Sequence, residues 1–359
     1  MAGLLTRGIW GGRNQEIRTA VRRRARREAA PGMRVERMEQ GMGSALSNRE
    51  WVTTIRPLDT EEDWQGVRAR VEELERGSAL NPWWNWEYIH EQWRTFQPDR
   101  RTWMVDVADA QGEGRAALGI GLWREYVFKG RRLCPKALRS FDHIYFMRTP
   151  PFLARRGREA MVCEAMADAM GELGRRSKAC LMSLNRMDGG AVSPLLAELS
   201  RRRIAFKQRL WTPAPQLVFE APATEGASVE EQFDKRHKKA LRDVRRQERR
   251  LEERYGEAAE MFHFVGKDLA DEEYQACVAR FRKIESKTWQ HHWEDQSCRV
   301  DPELKRAFED RALAMWRRRG LLEFYFLRAG GKCAAFFVTL RVEDRLWLLL
   351  TGYDPDLKD

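Results

Sequence analysis

The residues with the most chemical potential lie in one basic stretch. Lys235, Arg236, Lys238, Lys239, Arg242, Arg245, Arg246, Arg249 and Arg250 recur at spacings that a helix spreads around most of its circumference. Asp234, Asp243, Glu248, Glu252 and Glu253 neutralise part of that charge. A guanidinium pairs with phosphate or carboxylate through two parallel hydrogen bonds, so such a helix offers an anion-facing edge near its start. A plain solvated helix has the same composition, and both readings stand at this point. A second concentration is aromatic: Trp83, Trp84, Trp86, Tyr88 and Trp93. Such rings stack on sugars, and at helical spacing they equally form core. They are denser than one core face requires, so some are expected to line a groove between domains.

Other constellations carry less. Adjacent His291 and His292 with Glu294 offer metal ligands, but neighbouring imidazoles point apart, so a surface pair is preferred and no metal is expected. Gly112-x-Gly114-x-x-Ala117 matches a dinucleotide fingerprint in letters alone. That fingerprint works between a strand and a helix N-terminus, and here the segment joins two strands. Cys134, Cys163, Cys180, Cys277, Cys298 and Cys333 are scattered without a C-x-x-C pair, which argues for a reducing, cytoplasmic setting and against a structural zinc site. The sequence contains no P-loop, nucleophile elbow or H-E-x-x-H pattern.

Composition bounds the architecture that must hold these groups. Hydrophobic residues make up 43% of the 359 positions and charged ones 33%, enough for sizeable cores and too much for wholesale disorder. The longest apolar runs, Cys333 to Val338 and Leu346 to Leu350, fall far short of the roughly 20 residues of a membrane span. The net charge of +11 is uneven. Residues 1–48 hold ten Arg against four acidic residues, more than half of the excess. Arginines number 52 and lysines 13, a compositional bias that weakens charge as a nucleic-acid signal and argues against nucleic acid as the main partner. Residues 1–48 lack the apolar core of a secretory signal. Arg-rich and acid-poor like a mitochondrial presequence, they are expected to be a disordered basic leader or an upstream start, with Met33, Met38 and Met42 as later starts.

The expected elements fall into two blocks. In the first, a strand over 51–55 leads to a helix capped by Asp59 or Thr60, with Trp64, Val67, Val71 and Leu74 inward and Gly77 at its end. Asn81-Pro82 opens the aromatic helix. Strands follow over 102–107, 117–127 and 144–147, then a helix over 155–173, a strand over 180–184, a helix over 190–202 and a strand over 216–219. Residues 221–228 read as a linker. The second block has a basic helix over 229–255 whose Phe233, His237, Leu241, Val244 and Leu251 share a face and should dock on a sheet. It continues with a strand over 261–265, helices over 271–283 and 301–319, and three strands over 321–327, 333–341 and 345–351. Both blocks thus share one plan: strand, two helices, antiparallel meander. The domains are expected at 49–220 and 229–359.

Specific residues in this frame carry a resemblance. Arg236-x-x-Lys239-x-x-Arg242, Arg249-Arg250-Leu251-Glu252, Glu285-Ser-Lys-Thr-Trp289 and Thr351-Gly-Tyr-Asp-Pro-Asp resemble the CelD-like branch of the GNAT acyltransferase superfamily, a cousin of the Fem-type aminoacyltransferases. Asn81-Pro82 and Ser140-Phe-Asp142-His143 in the first block are similar to that branch too. The resemblance covers about 49–359 and rests on the order and spacing of motifs that are individually loose. It implies an α+β (mixed α/β) fold of two tandem GNAT-like domains, each a mostly antiparallel sheet flanked by helices. It implies transfer of an acyl group from acetyl-CoA or another acyl-CoA to an amine or hydroxyl on a small-molecule or glycan-type acceptor, with no metal. Asp142, Glu285 and Tyr353 are then the candidate catalytic residues: Asp142 as proton relay, Glu285 facing the cleft, Tyr353 as proton donor to the departing thiolate. Arg236, Lys239, Arg242 and Trp289 would bind substrate. Backbone amides around Leu349, Leu350 and Thr351, on the fourth strand, would meet the thioester.

The family continues beyond the Tyr-Asp-Pro motif with a Ser-Pro-Gly-like loop and a helix that hold the pyrophosphate of coenzyme A. The sequence is therefore expected to be C-terminally incomplete, its second domain cut after the fourth strand, and to bind acetyl-CoA weakly. The competing expectation is a non-catalytic GNAT-like module that binds a charged glycan or a lipid-linked precursor.

Overall fold

The structure is a computed structural model. It describes residues 50–79, 81–96, 101–111, 115–127, 136–140, 152–184, 189–206, 238–256, 259–288, 301–343 and 345–357. The first half contains β1 (Trp51–Leu58), α1 (Glu61–Gly77), α2 (Trp86–Phe96), β2 (Thr102–Asp109), β3 (Ala117–Val127), β4 (Lys136–Ser140), β5 (Leu153–Ala154), α3 (Glu159–Ser177), β6 (Leu181–Ser183) and α4 (Gly189–Arg201). The second contains α5 (Lys238–Tyr255), β7 (Glu260–Val265), α6 (Asp271–Glu285), α7 (Pro302–Arg318), β8 (Leu322–Ala329), β9 (Lys332–Val342) and β10 (Arg345–Tyr353).

Two sheets follow one plan. The first runs β1-β2-β3-β4-β6, with β5 paired to β3; the second runs β10-β9-β8-β7. In each, a strand and two helices precede three strands laid down antiparallel in sequence order. The first sheet adds β6, parallel to β4 after the α3 crossover. The fold is thus mixed α/β with antiparallel-rich sheets, as expected.

Local chemistry explains the element ends. Thr60 caps α1 reciprocally: Asp63 N–H donates to Thr60 Oγ1 at 3.2 Å and Thr60 N–H donates to Asp63 Oδ2 at 2.9 Å. Trp64, Val67, Val71 and Leu74 are all buried. Asp301 caps α7 by accepting from Glu303 N–H at 2.8 Å, and Pro302 occupies the first turn, where its missing N–H costs nothing. Gly330 and Gly331, both with positive φ, form the tight turn between β8 and β9.

The second core lies on one face of its sheet. Phe324, Phe326, Phe336, Val338 and Leu340 pack against Phe281 and Ile284 of α6 and Phe308, Leu313 and Trp316 of α7. Two buried members come from the first half, Trp83 and Tyr88. Trp316 meets Trp83 edge to face at 5.1 Å, stacks on Tyr88 at 5.3 Å and donates its indole N–H to the Pro82 carbonyl at 3.1 Å. Polar contacts ring this seam: Arg311 reaches Glu91 at 2.5 Å, and Arg319 bridges Glu75 and Glu87.

Three expectations need correction. The aromatic helix starts at Trp86, not Asn81. The Asn81 side chain instead accepts from the Trp83 and Trp84 amides and shapes a turn, and Asn85 accepts from Tyr88 N–H to start the helix. The basic helix docks less than its apolar stripe suggested. Val244 is exposed, and the packing visible at its last turn sets the Tyr255 ring against Gly330. A strand at Lys136–Ser140 went unanticipated, because Lys-Ala-Leu-Arg-Ser has no strand signature and is held by β3 and β6 on either side. The strands expected over 144–147 and 216–219, the linker and the leader lie outside the described residues.

Candidate functional site

Strand β10 carries a break in its ladder. Leu348 pairs with Thr339 and Leu350 with Val338 on β9, so Leu349 is an inserted residue without a partner in the register. A bulge of this kind bends the strand and leaves the extra residue's backbone outside the ladder. Among the described residues, β10 is an edge strand. Leu349 and Leu350 open onto a cleft of about 290 Å³ that includes open solvent, floored by Tyr88 of α2 and by Phe308, Ala312, Leu313 and Trp316 of α7. Both halves of the chain therefore line it.

One carboxylate lies in the cleft wall, Glu309 of α7. Its side chain is 11% exposed and pairs with the guanidinium of Arg282 on α6 at 2.6 Å; Arg282 is 6% exposed. The same guanidinium donates to Glu285 at 2.8 Å and Asp310 at 2.8 Å, and Lys305 stands 3.9 Å from Glu309. Burial pushes the Glu309 carboxyl above its ordinary range, against the pull of Arg282, and the nearby Glu285 charge adds to the rise. Arg282 is held charged: burial opposes its charge, and Glu309 and Glu285 overcome it. The cluster ties α6 to α7 beneath the cleft.

The ends of α6 and β10 meet. Lys287 donates to Asp354 at 2.9 Å and to Asp356 at 2.8 Å. Although burial acts the other way, hydrogen bonding to Lys287 holds the Asp354 carboxyl below its usual range. Buried Thr288 donates to the Glu285 carbonyl at 2.8 Å, and its methyl lies against Gly352. A β-carbon at Gly352 would stand 2.6 Å from the Phe336 ring and 3.1 Å from that methyl, so glycine is needed for this close approach. The Glu-Ser-Lys-Thr and Thr-Gly-Tyr-Asp-Pro-Asp segments, 67 positions apart at Lys287 and Asp354, are thus one clasp.

The sequence-derived candidates are distributed as follows. Leu349 and Leu350 line the cleft, and Glu285 is one carboxylate away through Arg282. Thr351 and Tyr353 pair with Phe337 and Ala335, so alternation puts their side chains on the opposite face from Leu350 and Gly352. The structure does not bring Tyr353 into the cleft. Arg242 stands exposed on α5, and Lys239 lies in the first turn of the same helix. Asp142, Arg236 and Trp289, with His143, His291, His292, Glu294 and the glycines of the 112–117 segment, lie outside the described residues. Of the aromatic cluster, Tyr88 lines the cleft, whereas Trp86 and Trp93 pack on Trp64 inside the first half. Glu309 escaped sequence reasoning. Its signal was an acid directly after Phe308 on a helix that buries Phe308, Ala312 and Met315 and leaves Leu304 exposed.

Comparison with known proteins bears on this half. Residues 238–359 match the sequence model of the acetyltransferase (GNAT) domain. The second half, with its bulged fourth strand, therefore carries a GNAT acetyltransferase domain. No curated protein matches the chain. Solved structures similar to it include a GNAT family acetyltransferase from Staphylococcus aureus, 9% identical, covering 47% of this chain and 99% of that one with a TM-score of 0.28. A ribosomal-protein-alanine N-acetyltransferase from Brucella melitensis is 11% identical, covering 46% and 100% with a TM-score of 0.27. A conserved protein of unknown function from Bacteroides thetaiotaomicron is 12% identical and covers 85% of this chain and 82% of its own, with a TM-score of 0.36. Among the described residues, no helix is long and apolar enough to cross a membrane, and no cluster of His, Cys, Asp and Glu could hold a metal ion.

Proposed function

We propose that the chain transfers an acyl group from a coenzyme A thioester to an amine or hydroxyl acceptor at the bulge of β10. The supporting observation is that Leu349, the inserted residue of the bulge, lines the same cleft as Glu309. The thioester supplies the activated acyl carbon. The protein's part is to hold acceptor and acyl carbon together, to offer a fixed N–H to the oxygen that becomes negative, and to take a proton from the acceptor. Leu349, Leu350 and Thr351 provide backbone at the first position. Glu309, coupled to Glu285 through Arg282, provides the carboxylate, with Asp142 as a second relay. Arg236, Lys239, Arg242 and Trp289 hold an anionic part of a substrate. Tyr353, on the opposite face of β10, would reach the departing thiolate only from that side. The reaction belongs to cell-envelope or polysaccharide metabolism in the cytoplasm.

The test is release of free thiol from acetyl-CoA by the purified chain, with a panel of amines, amino sugars and alcohols. Leu349→Pro removes the amide and should lower turnover by about 10²-fold, as loss of an oxyanion donor does, with Leu349→Ala close to wild type. Equal rates for Leu349→Pro and wild type would refute the role of the bulge. The exposed basic face of α5 supports the second reading, a binding module for a charged glycan or a lipid-linked precursor, which predicts glycan binding without thiol release.

A further inference from the structure

The walls of the β10 cleft select what can enter it. Five of the lining side chains, Phe308, Ala312, Leu313, Leu349 and Leu350, carry no polar atom. The Trp316 N–H is taken by the Pro82 carbonyl at 3.1 Å, and the Tyr88 hydroxyl is buried. Interlocked rings hold this floor. Tyr88 lies edge to face on Phe308 at 5.4 Å and stacks on Trp316 at 5.3 Å, and Phe96 backs Phe308 at 4.9 Å. The space is about 290 Å³ with open solvent included, the low end for a small-molecule site. A sugar entering it would give up the water around its hydroxyls and meet rings and methyl groups, with a penalty for every hydroxyl left without a partner. An aromatic or branched aliphatic group meets no such penalty and gains contact with the rings.

The polar group at the wall decides which end of the guest reacts. Glu309 keeps 11% of its side chain exposed. Its cluster sets three carboxylates, Glu309, Glu285 and Asp310, against the Arg282 guanidinium and the Lys305 ammonium, an excess of one negative charge. That excess draws an ammonium and is indifferent to an alcohol. Inside the cleft the apolar walls favour the neutral amine, which is the form that attacks a carbonyl carbon.

Resting on the acyl-transfer reading above, we propose that the acceptor is a primary amine carried on an aromatic or branched aliphatic body, and that Ala312 sets how large that body can be. The ammonium gives one proton to solvent on entry. Its nitrogen then bonds to the acyl carbon as the C–S bond breaks, a second proton passes from nitrogen to Glu309, and the departing thiolate takes up a proton from water. Ala312 is the smallest residue of the wall and stands one helical turn from both Phe308 and Trp316 on α7, so each carbon added to it is taken from the cleft.

The test gives the purified full chain acetyl-CoA with phenethylamine, 3-methylbutylamine, ethylamine or glucosamine. Free thiol reports kcat/KM, and calorimetric titration reports binding in the absence of acetyl-CoA. Phenethylamine and 3-methylbutylamine should exceed glucosamine by about tenfold or more in kcat/KM. Phenethylamine should also bind more tightly than 2-phenylethanol, which has the same body without the charge. Ala312→Val and then Ala312→Leu should lower the ratio of kcat/KM for phenethylamine to that for ethylamine in steps, by about tenfold at the larger residue, a graded change that loss of the fold does not produce. Glucosamine equal to or better than phenethylamine overturns the proposal and leaves acyl transfer standing. So does a ratio that neither Ala312 variant moves, or equal binding of phenethylamine and 2-phenylethanol. Absence of thiol release with every acceptor refutes transfer itself. Phenethylamine binding that Ala312→Leu weakens would then keep the cleft as a site for an apolar amine, and no such binding would remove that too.

Discussion

Removing the Arg282 guanidinium by Arg282→Met should weaken the fold in a way that depends on pH. The side chain is 6% exposed and its nearest partner, Glu309, 11%, so this pair is shielded from solvent. Losing one partner of a buried pair leaves an uncompensated charge, at a cost of about 3–5 kcal/mol. Glu285 is 20% exposed and Asp310 50%, so solvent screens their share, about 0–1 kcal/mol each. Most of the loss therefore comes from Glu309. Its carboxyl is already raised in the native protein and rises further without Arg282. A folded state that binds this proton more tightly than the unfolded chain is favoured at low pH. That contribution is complete below the unfolded carboxyl value of about 4.3 and disappears as pH rises through the folded one. Urea unfolding followed by circular dichroism at about pH 5 and about pH 8 reads this out. The variant should be weakened more at the higher pH, and Arg282→Met/Glu309→Gln should regain part of the loss there. Equal destabilisation at both pH values, or no recovery in the double variant, would falsify the account of Glu309 as the stranded charge.

Other substitutions probe the neighbouring contacts. Gly352→Ala drives a methyl into the Phe336 ring and should cost about 1–3 kcal/mol in urea melts, against near-neutrality if β10 can slide away. Trp316→Phe keeps the ring packing but removes one of two donors to the Pro82 carbonyl, which still accepts from the Asn85 side-chain amide at 2.7 Å, so a loss of about 0.5–1.5 kcal/mol is expected, and an unchanged unfolding midpoint would count against the indole hydrogen bond. Thr60→Ala opens the reciprocal cap of α1 at about 1 kcal/mol, with Thr60→Ser expected to restore it.

Much of this architecture was legible because local rules agreed with the global plan. Thr60 and Asp301 are residue types that cap, Gly256 and Gly320 adopt the positive φ that their places after helices suggested, and the repeated plan of strand, two helices and meander reappears in both sheets, the first extended by β5 and β6. What escaped depends on contacts between distant segments. Lys136–Ser140 is a strand because β3 and β6 hold it, not through its own preference. The aromatic cluster divides between two cores according to what stands opposite, Trp64 for Trp86 and Trp93, Trp316 for Trp83 and Tyr88. In the site, the β10 position was readable and its bulge was not, since an inserted residue is defined by the partner strand. Glu309 drew no notice because a single acid on a helix ordinarily faces water. Burial beside Arg282 makes it unusual, and Arg282 lies 27 positions away.

The Trp83–Tyr88–Trp316 seam has a consequence for descent. Halves joined by a linker alone could be recombined like beads, each keeping its own stability. Here the interior of the second half is completed by rings that the first half contributes, and the indole at 316 is matched to a carbonyl at 82. A lineage that altered either side would need a compensating change on the other. Pieces from different ancestors would meet with a hole or a clash where those rings interlock. Exchange of one half for that of another protein should therefore succeed only where the residues facing this seam are exchanged with it.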